Sequence, residues 1–202
     1  MKKGFTLTEI LITLGIIGIV SILTVPNFTR GMNKKNMIAT LKSTYSQLQT
    51  AVTTKMADDG VYTWNDVLPD SDDELPDFAQ SFLTDYLDVA KICNSYDECF
   101  GPGEDDNFAY GHAVLLNNKA AVYLENDGFS DRISFKIDVN GPANPNKIGV
   151  DKFRIIYDLK GVYVDACGET GTDDCTEACT VGQVSEVCFD IVMRNDWEPV
   201  KF

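Results

Sequence analysis

Histidine is almost missing from this chain: His112 is the only one in 202 residues. One imidazole cannot supply a multi-histidine metal centre, and no nucleophile stands at a recognisable spacing from His112, so hydrolytic relays find no support. Cysteine is absent before Cys93 and never occurs as Cys-x-x-Cys, which removes the paired knuckles of structural zinc. Basic residues are scarce beyond the first 57 positions: from Asp58 onward 10 Lys and Arg face 30 Asp and Glu, a net of −20. Such a surface is repelled by nucleic-acid phosphates and by anionic headgroups. No glycine-rich phosphate loop is present, so neither a nucleic-acid binder nor an enzyme is expected.

What is present is sharply segregated. Met1 to Ala57 holds 7 Lys and Arg with Glu9 as its only acid, a net of +6. Phe5 to Val25 is a run of 21 residues in which Glu9 is the sole charge. At about 1.5 Å per helical residue that run matches a hydrocarbon core roughly 30 Å thick. A cleaved secretory signal fits poorly, because the run is too long, contains an acid, and offers no small-x-small site near Ser21 to Pro26. The charge pattern therefore predicts a basic, apolar stem in a membrane and an acidic head outside it.

The stem continues beyond the apolar run. Met37, Ile38, Leu41, Tyr45, Leu48, Val52 and Met56 recur at steps of three and four and paint one helical face, and Asp58-Asp59-Gly60 ends the helix with a left-handed cap. A second helix is expected from Pro76 to Lys91, with Phe78, Phe82, Leu83, Tyr86, Leu87 and Ala90 as its stripe, after an acidic loop at Asp70 to Glu74. Strands are expected at Ala113 to Leu116, Ala120 to Leu124, Ile133 to Ile137, and Phe153 to Tyr157 paired with Val162 to Val164. The tail from Asp165 reads as an irregular region with a last strand at Val187 to Met193. The fold class is α+β, a long N-terminal helix laid on an antiparallel sheet of about four strands, with a disulfide-stapled C-terminal region. Its segments are 1–4, a short basic leader; 5–27, the apolar membrane helix; 28–58, the stem entering the head; and 59–202, the acidic head.

Six cysteines, Cys93, Cys99, Cys167, Cys175, Cys179 and Cys188, all lie in the head. An even number beyond a membrane segment reads as disulfides formed in an oxidising compartment, with 15 connectivities open in principle. Cys93 and Cys99 are placed to clip the short loop between them.

At the N-terminus, Gly4-Phe5-Thr6-Leu7-Thr8-Glu9 resembles the cleavage and methylation motif of type IV prepilins and type II secretion pseudopilins. The resemblance implies that a membrane-embedded prepilin peptidase cuts between Gly4 and Phe5 and methylates the new amino group. It implies that Glu9 becomes the fifth mature residue, and that Gly18 and Pro26 occupy the family's glycine and proline positions in the assembly helix. The implied partners are identical or related pilin subunits and an inner-membrane assembly platform, with a cytoplasmic-membrane precursor and an extracellular or periplasmic filament. Independently of the family, a carboxylate inside an apolar helix costs about 2.5–3.5 kcal/mol at mid-membrane and calls for a cationic partner. The amino terminus freed at Phe5 is the nearest candidate, in the same subunit or in its neighbour. A membrane-anchored module that captures a cation or ligand without polymerising is the alternative reading.

One loop invites a metal. Asp138-Val139-Asn140-Gly141 leads through Pro142, Asn144, Pro145 and Gly149 to Asp151, an alternation of oxygen side chains and glycine that calcium loops use. Asp138, Asn140 and Asp151 are the candidate ligands for Ca2+. The same residue types form ordinary turns by bonding their own backbone.

Overall fold

A computed structural model describes residues 6–69, 71–102, 113–126, 132–169, 179 and 185–200, without the side chains of residues 18, 20–32, 72, 126, 168, 169, 185 and 186. The chain divides into two units, Met1–Asn36 and Met37–Phe202. Helix α1 runs Leu7–Asp59, and Gly60 follows it with φ of 69°. The cap falls where the sequence predicts it, because Gly reaches the left-handed region without the Cβ penalty.

In the second unit, α1 supplies the floor of the core. Leu41, Leu48, Ala51 and Val52 are buried, whereas Ser43, Ser46, Gln49 and Thr50 face solvent. Full burial of each such aliphatic side chain contributes about 1.5–3 kcal/mol. Against this floor lies a five-stranded antiparallel meander of β1 (Val89–Ile92), β2 (Val114–Leu116), β3 (Ala121–Asn126), β4 (Arg132–Asp138) and β5 (Lys152–Asp158), in that spatial order. Strand β4 pairs Ile133 with Tyr157 and Ile137 with Phe153, so their alternating apolar residues share one face. On the opposite face Glu125 bridges two strands, to Lys136 at 3.2 Å and Arg154 at 2.7 Å.

That opposite face is not left to water. The short helix α3 (Tyr96–Phe100), held by the Cys93–Cys99 disulfide, packs Tyr96 and Phe100 over Ala121 and Tyr123. Back on the face shared with α1, helix α2 (Leu75–Tyr86) puts Phe82 within 5.2 Å of Trp64 and 6.1 Å of Phe135, ring centre to ring centre. The turn between β2 and β3 is tied to α1 by Asn118, whose amide donates to the buried Thr44 hydroxyl at 3.1 Å.

Three expectations are corrected. The second helix stops at Tyr86 rather than Lys91, because Leu87 turns extended and Val89–Ile92 pairs with β2 as the fifth strand. Pairing satisfies the backbone groups that another helical turn would have served, and the β-branched Val89 and Ile92 suit it. Residues 162–164 make only an isolated bridge, Tyr163 opposite Tyr157, in which Asp158 N–H donates to the Val162 carbonyl and Val164 N–H to the Ile156 carbonyl, not a full strand. The expected last strand at Val187 to Met193 is instead helix α5 (Ser185–Arg194), preceded by the short α4 (Ala166–Glu169). Val187, Cys188, Ile191 and Val192 recur at helical spacing, and α5 packs on β5 and α4.

Candidate processing and assembly site

The start of α1 is built by reciprocal capping. Thr6 donates its backbone N–H and its hydroxyl to Glu9 Oε2, both at 2.8 Å, and the Thr6 hydroxyl accepts the Glu9 N–H at 3.3 Å. This is the capping box of a Thr-x-x-Glu start, which satisfies helix-end donors that have no partner inside the helix. A carboxylate in a helix's first turn also meets the positive end of the helix dipole. Among the described residues, Glu9 Oε1 accepts nothing. The cap is legible as Thr6-Leu7-Thr8-Glu9, although the apolar setting of Glu9 points first to a cationic partner or to snorkelling toward the interface.

Past the cap, the large apolar side chains from Leu7 to Ile19 are exposed, Leu7 at 76%. Among the described residues of Met1–Asn36 these side chains join no buried cluster, and a helix apolar on every side needs lipid or other helices around it. Gly15 has open space where a Cβ would stand. Gly18 and Pro26 both fall inside the helical span of α1, and their side chains lie outside the described residues. Gly4 and Phe5, flanking the expected cleavage point, also lie outside them. Among the described residues no helix is long and apolar enough to cross a membrane.

Residues 1–25 match the family described as Prokaryotic N-terminal methylation motif. The chain carries the type IV prepilin signature. That signature implies a membrane-anchored precursor, processing by prepilin peptidase and assembly with related subunits, and it marks structural subunits rather than an enzyme family. Behind it stands the pilin-like arrangement of a long N-terminal helix, an antiparallel sheet and a disulfide-bonded C-terminal region. No curated protein and no solved structure matches the chain.

The expected disulfides are present where the structure describes them. Cys93 pairs with Cys99 and Cys179 with Cys188, with Cα atoms 5.9 and 5.0 Å apart. Cys167 is disulfide-bonded as well, and Cys175 lies outside the described residues. So does His112.

The candidate calcium loop closes on its own backbone. Asp151 is fully buried, and its Oδ1 and Oδ2 accept the N–H groups of Lys147 at 2.6 Å and Asn146 at 2.8 Å. Burial pushes the Asp151 carboxyl up, against these backbone bonds and the Lys152 charge, which pull it down. Asp138, also fully buried, accepts the Asn140 N–H at 3.2 Å. Asn140 spends its amide N–H groups on the carbonyls of Ala143 at 2.9 Å and Asn144 at 3.1 Å. Among the described residues no group of three or more His, Cys, Asp or Glu is placed to hold a metal.

Proposed function

We propose that this protein is a structural subunit of a type IV pilus or a type II secretion pseudopilus. Prepilin peptidase removes residues 1–4 and methylates Phe5, and the mature chain polymerises through its N-terminal helix. The observation that carries the reading is the methylation motif at residues 1–25 running directly into α1. In this reading residues 5–27 span the cytoplasmic membrane before assembly, and the run from Phe5 to Val25 supports it with one charge in 21 residues.

Glu9 is the register element. Oε2 is committed to the start of its own helix through Thr6, and Oε1 is left to receive the cationic amino group of Phe5. When that amine belongs to a neighbouring subunit, two charges are neutralised in apolar surroundings and one helix is fixed axially against the next. A fully desolvated charge left single is far costlier than one that is paired and hydrogen-bonded. Gly15 and Gly18 let another helix approach closely, and Pro26 weakens the hydrogen-bond ladder behind them, so that the segment extends during assembly. The acidic head, carried on residues 28–58 of the stem, keeps the filament surface soluble.

The test is assembly of a Glu9→Val variant. Insertion is retained or improved, because the acid is gone from the apolar run, while sheared surface filaments are strongly reduced. Wild-type filament yield from that variant would overturn the register argument.

A further inference from the structure

Among the described residues of the head, three large apolar side chains are exposed: Tyr62 at 92%, Val162 at 57% and Ile92 at 39%. Tyr62 and Val162 lie at one corner, where α1 ends. Val61 donates its N–H to the Met56 carbonyl at 3.0 Å, and Gly161 comes so near the same methionine that a Cβ there would stand 2.9 Å from its sulfur. Tyr62 follows the first of these contacts and Val162 the second.

The corner is held by its backbone. Trp64, buried in the core, donates its N–H to the Leu159 carbonyl, and Asp158 Oδ1 closes the turn beyond by accepting the N–H groups of Lys160 at 2.9 Å and Val162 at 2.8 Å. A tyrosine on such a support has two χ angles to lose and a large ring to bury, the properties of an interface anchor. The rim is acidic. Asp58, Asp59 and Asp66 are exposed, and the Tyr86 hydroxyl, donating to Asp58 at 3.0 Å, brings Asp85 of α2 to the same place. Of the cations in residues 55–66 and 158–162, Lys55 is paired with Asp59 at 2.8 Å and Lys160 stands on the turn.

A surface of the opposite character occurs in the chain itself. Between Glu9 and Asp58 there is no acid, and Asn33, Lys34, Lys35 and Asn36 are all exposed. A lysine carries an apolar stem below its charged end, and an ammonium group is attracted both to a tyrosine face and to carboxylates around it. We propose that the Tyr62 corner of one subunit docks on Lys34 and Lys35 of a second copy, with Tyr62 and Val162 against the lysine stems and Asp58 and Asp66 facing the ammonium groups.

The proposal rests on the filament reading above and adds to it a contact made by the head. The two patches differ, so the contact is heterologous: each docked subunit still offers its own corner at one side and its own lysines at the other. Such a contact repeats into an open chain where a two-fold contact would stop at a dimer, and this is why a second copy, rather than another basic protein, is the occupant. Each carboxylate keeps an oxygen for the partner, because Asp58 accepts from Tyr86, and Asp66 from Thr63, through Oδ2 alone.

The experiment is thiol cross-linking of filaments isolated from cells that make the full chain. Among the described residues no cysteine is free, and positions 62 and 34 are exposed, so Tyr62→Cys and Lys34→Cys add reactive thiols without touching the core. With a short thiol-to-thiol cross-linker, filaments carrying both substitutions give a ladder of covalent multimers on a denaturing gel, and each single variant runs as a monomer. Double-variant filaments that run as monomers overturn the docking and leave the filament reading standing, as do dimers from a single variant, which would reveal a two-fold contact. Absence of filaments from every variant and from the wild type overturns both. Independently, Tyr62→Ser lowers filament yield about tenfold, the loss expected of an interface anchor, while the head melts at the wild-type temperature. Unchanged yield overturns the docking.

Discussion

Gly149 lies bare against the sulfur of Cys179: a Cβ built on it would stand 2.8 Å from Cys179 Sγ and 3.0 Å from Cys188 Sγ. Its φ of +77° is one that only glycine adopts freely. The loop ending at Asp151 and the C-terminal disulfide therefore share one packing constraint. Gly149→Ala must strain the backbone and displace the disulfide together, at a cost of about 1–3 kcal/mol. Thermal unfolding should show the midpoint falling by several degrees. An unchanged midpoint would mean that the two segments do not press on each other.

Asp151 stabilises the same loop from inside. Removing its carboxylate leaves the N–H groups of Asn146 and Lys147 without their acceptor, and each orphaned donor costs about 1–3 kcal/mol if water cannot reach it. Asp151→Ala should unfold in less denaturant than Asp151→Asn, because the amide oxygen of Asn keeps one of the two bonds. Equal midpoints for the two variants would contradict the loop account.

Calcium divides the two readings of Asp138, Asn140 and Asp151. Since both Asp151 oxygens hold backbone N–H groups, adding calcium should leave the head's melting temperature where a chelator leaves it. A rise of several degrees in calcium, lost in Asp138→Ala, would instead show that the loop rearranges around a cation.

Much of this architecture was legible in the residues. The steps of three and four from Met37 to Met56, closed by Gly60, give α1 its buried face and its end, and the alternation of Ile133, Phe135 and Ile137 gives β4. Errors arose where one pattern served two periods. Leu87 and Ala90 continue the stripe of Phe78 to Leu83, yet Val89–Ile92 joins the sheet because an edge next to β2 was open to it. Val187 to Met193 is a short run broken only by Asp190, of a length that suits a strand as well as a helix; the spacing of Val187, Cys188, Ile191 and Val192 is the helical one, and it packs on α4 and β5. Long-range bonds left no local trace: nothing near Asp190 announces that it holds the amide of Cys167, 23 positions away. Thr6 is different. Its Thr-x-x-Glu spacing was in plain view, overshadowed by the charge of Glu9.

Thr6 and Glu9 should separate by phenotype. Thr6→Val removes the hydroxyl that caps α1 but keeps the acid, at a cost of about 1 kcal/mol to the helix start. Assembly should be weakened but not abolished, and Thr6→Ser should restore it. Glu9→Val should lose assembly whatever stands at position 6. Comparing sheared filament yields of the three variants checks the order; equal loss in Thr6→Ser and Glu9→Val would contradict it.

The most direct measurement is the intact mass of the subunit recovered from sheared cell-surface material or from isolated periplasmic filaments. The account predicts a chain that begins at Phe5, lacks residues 1–4 and is heavier than the cut sequence by one methyl group on its amino terminus. A mature, functioning protein that still carries Met1 to Gly4 and purifies only as a monomer would contradict it.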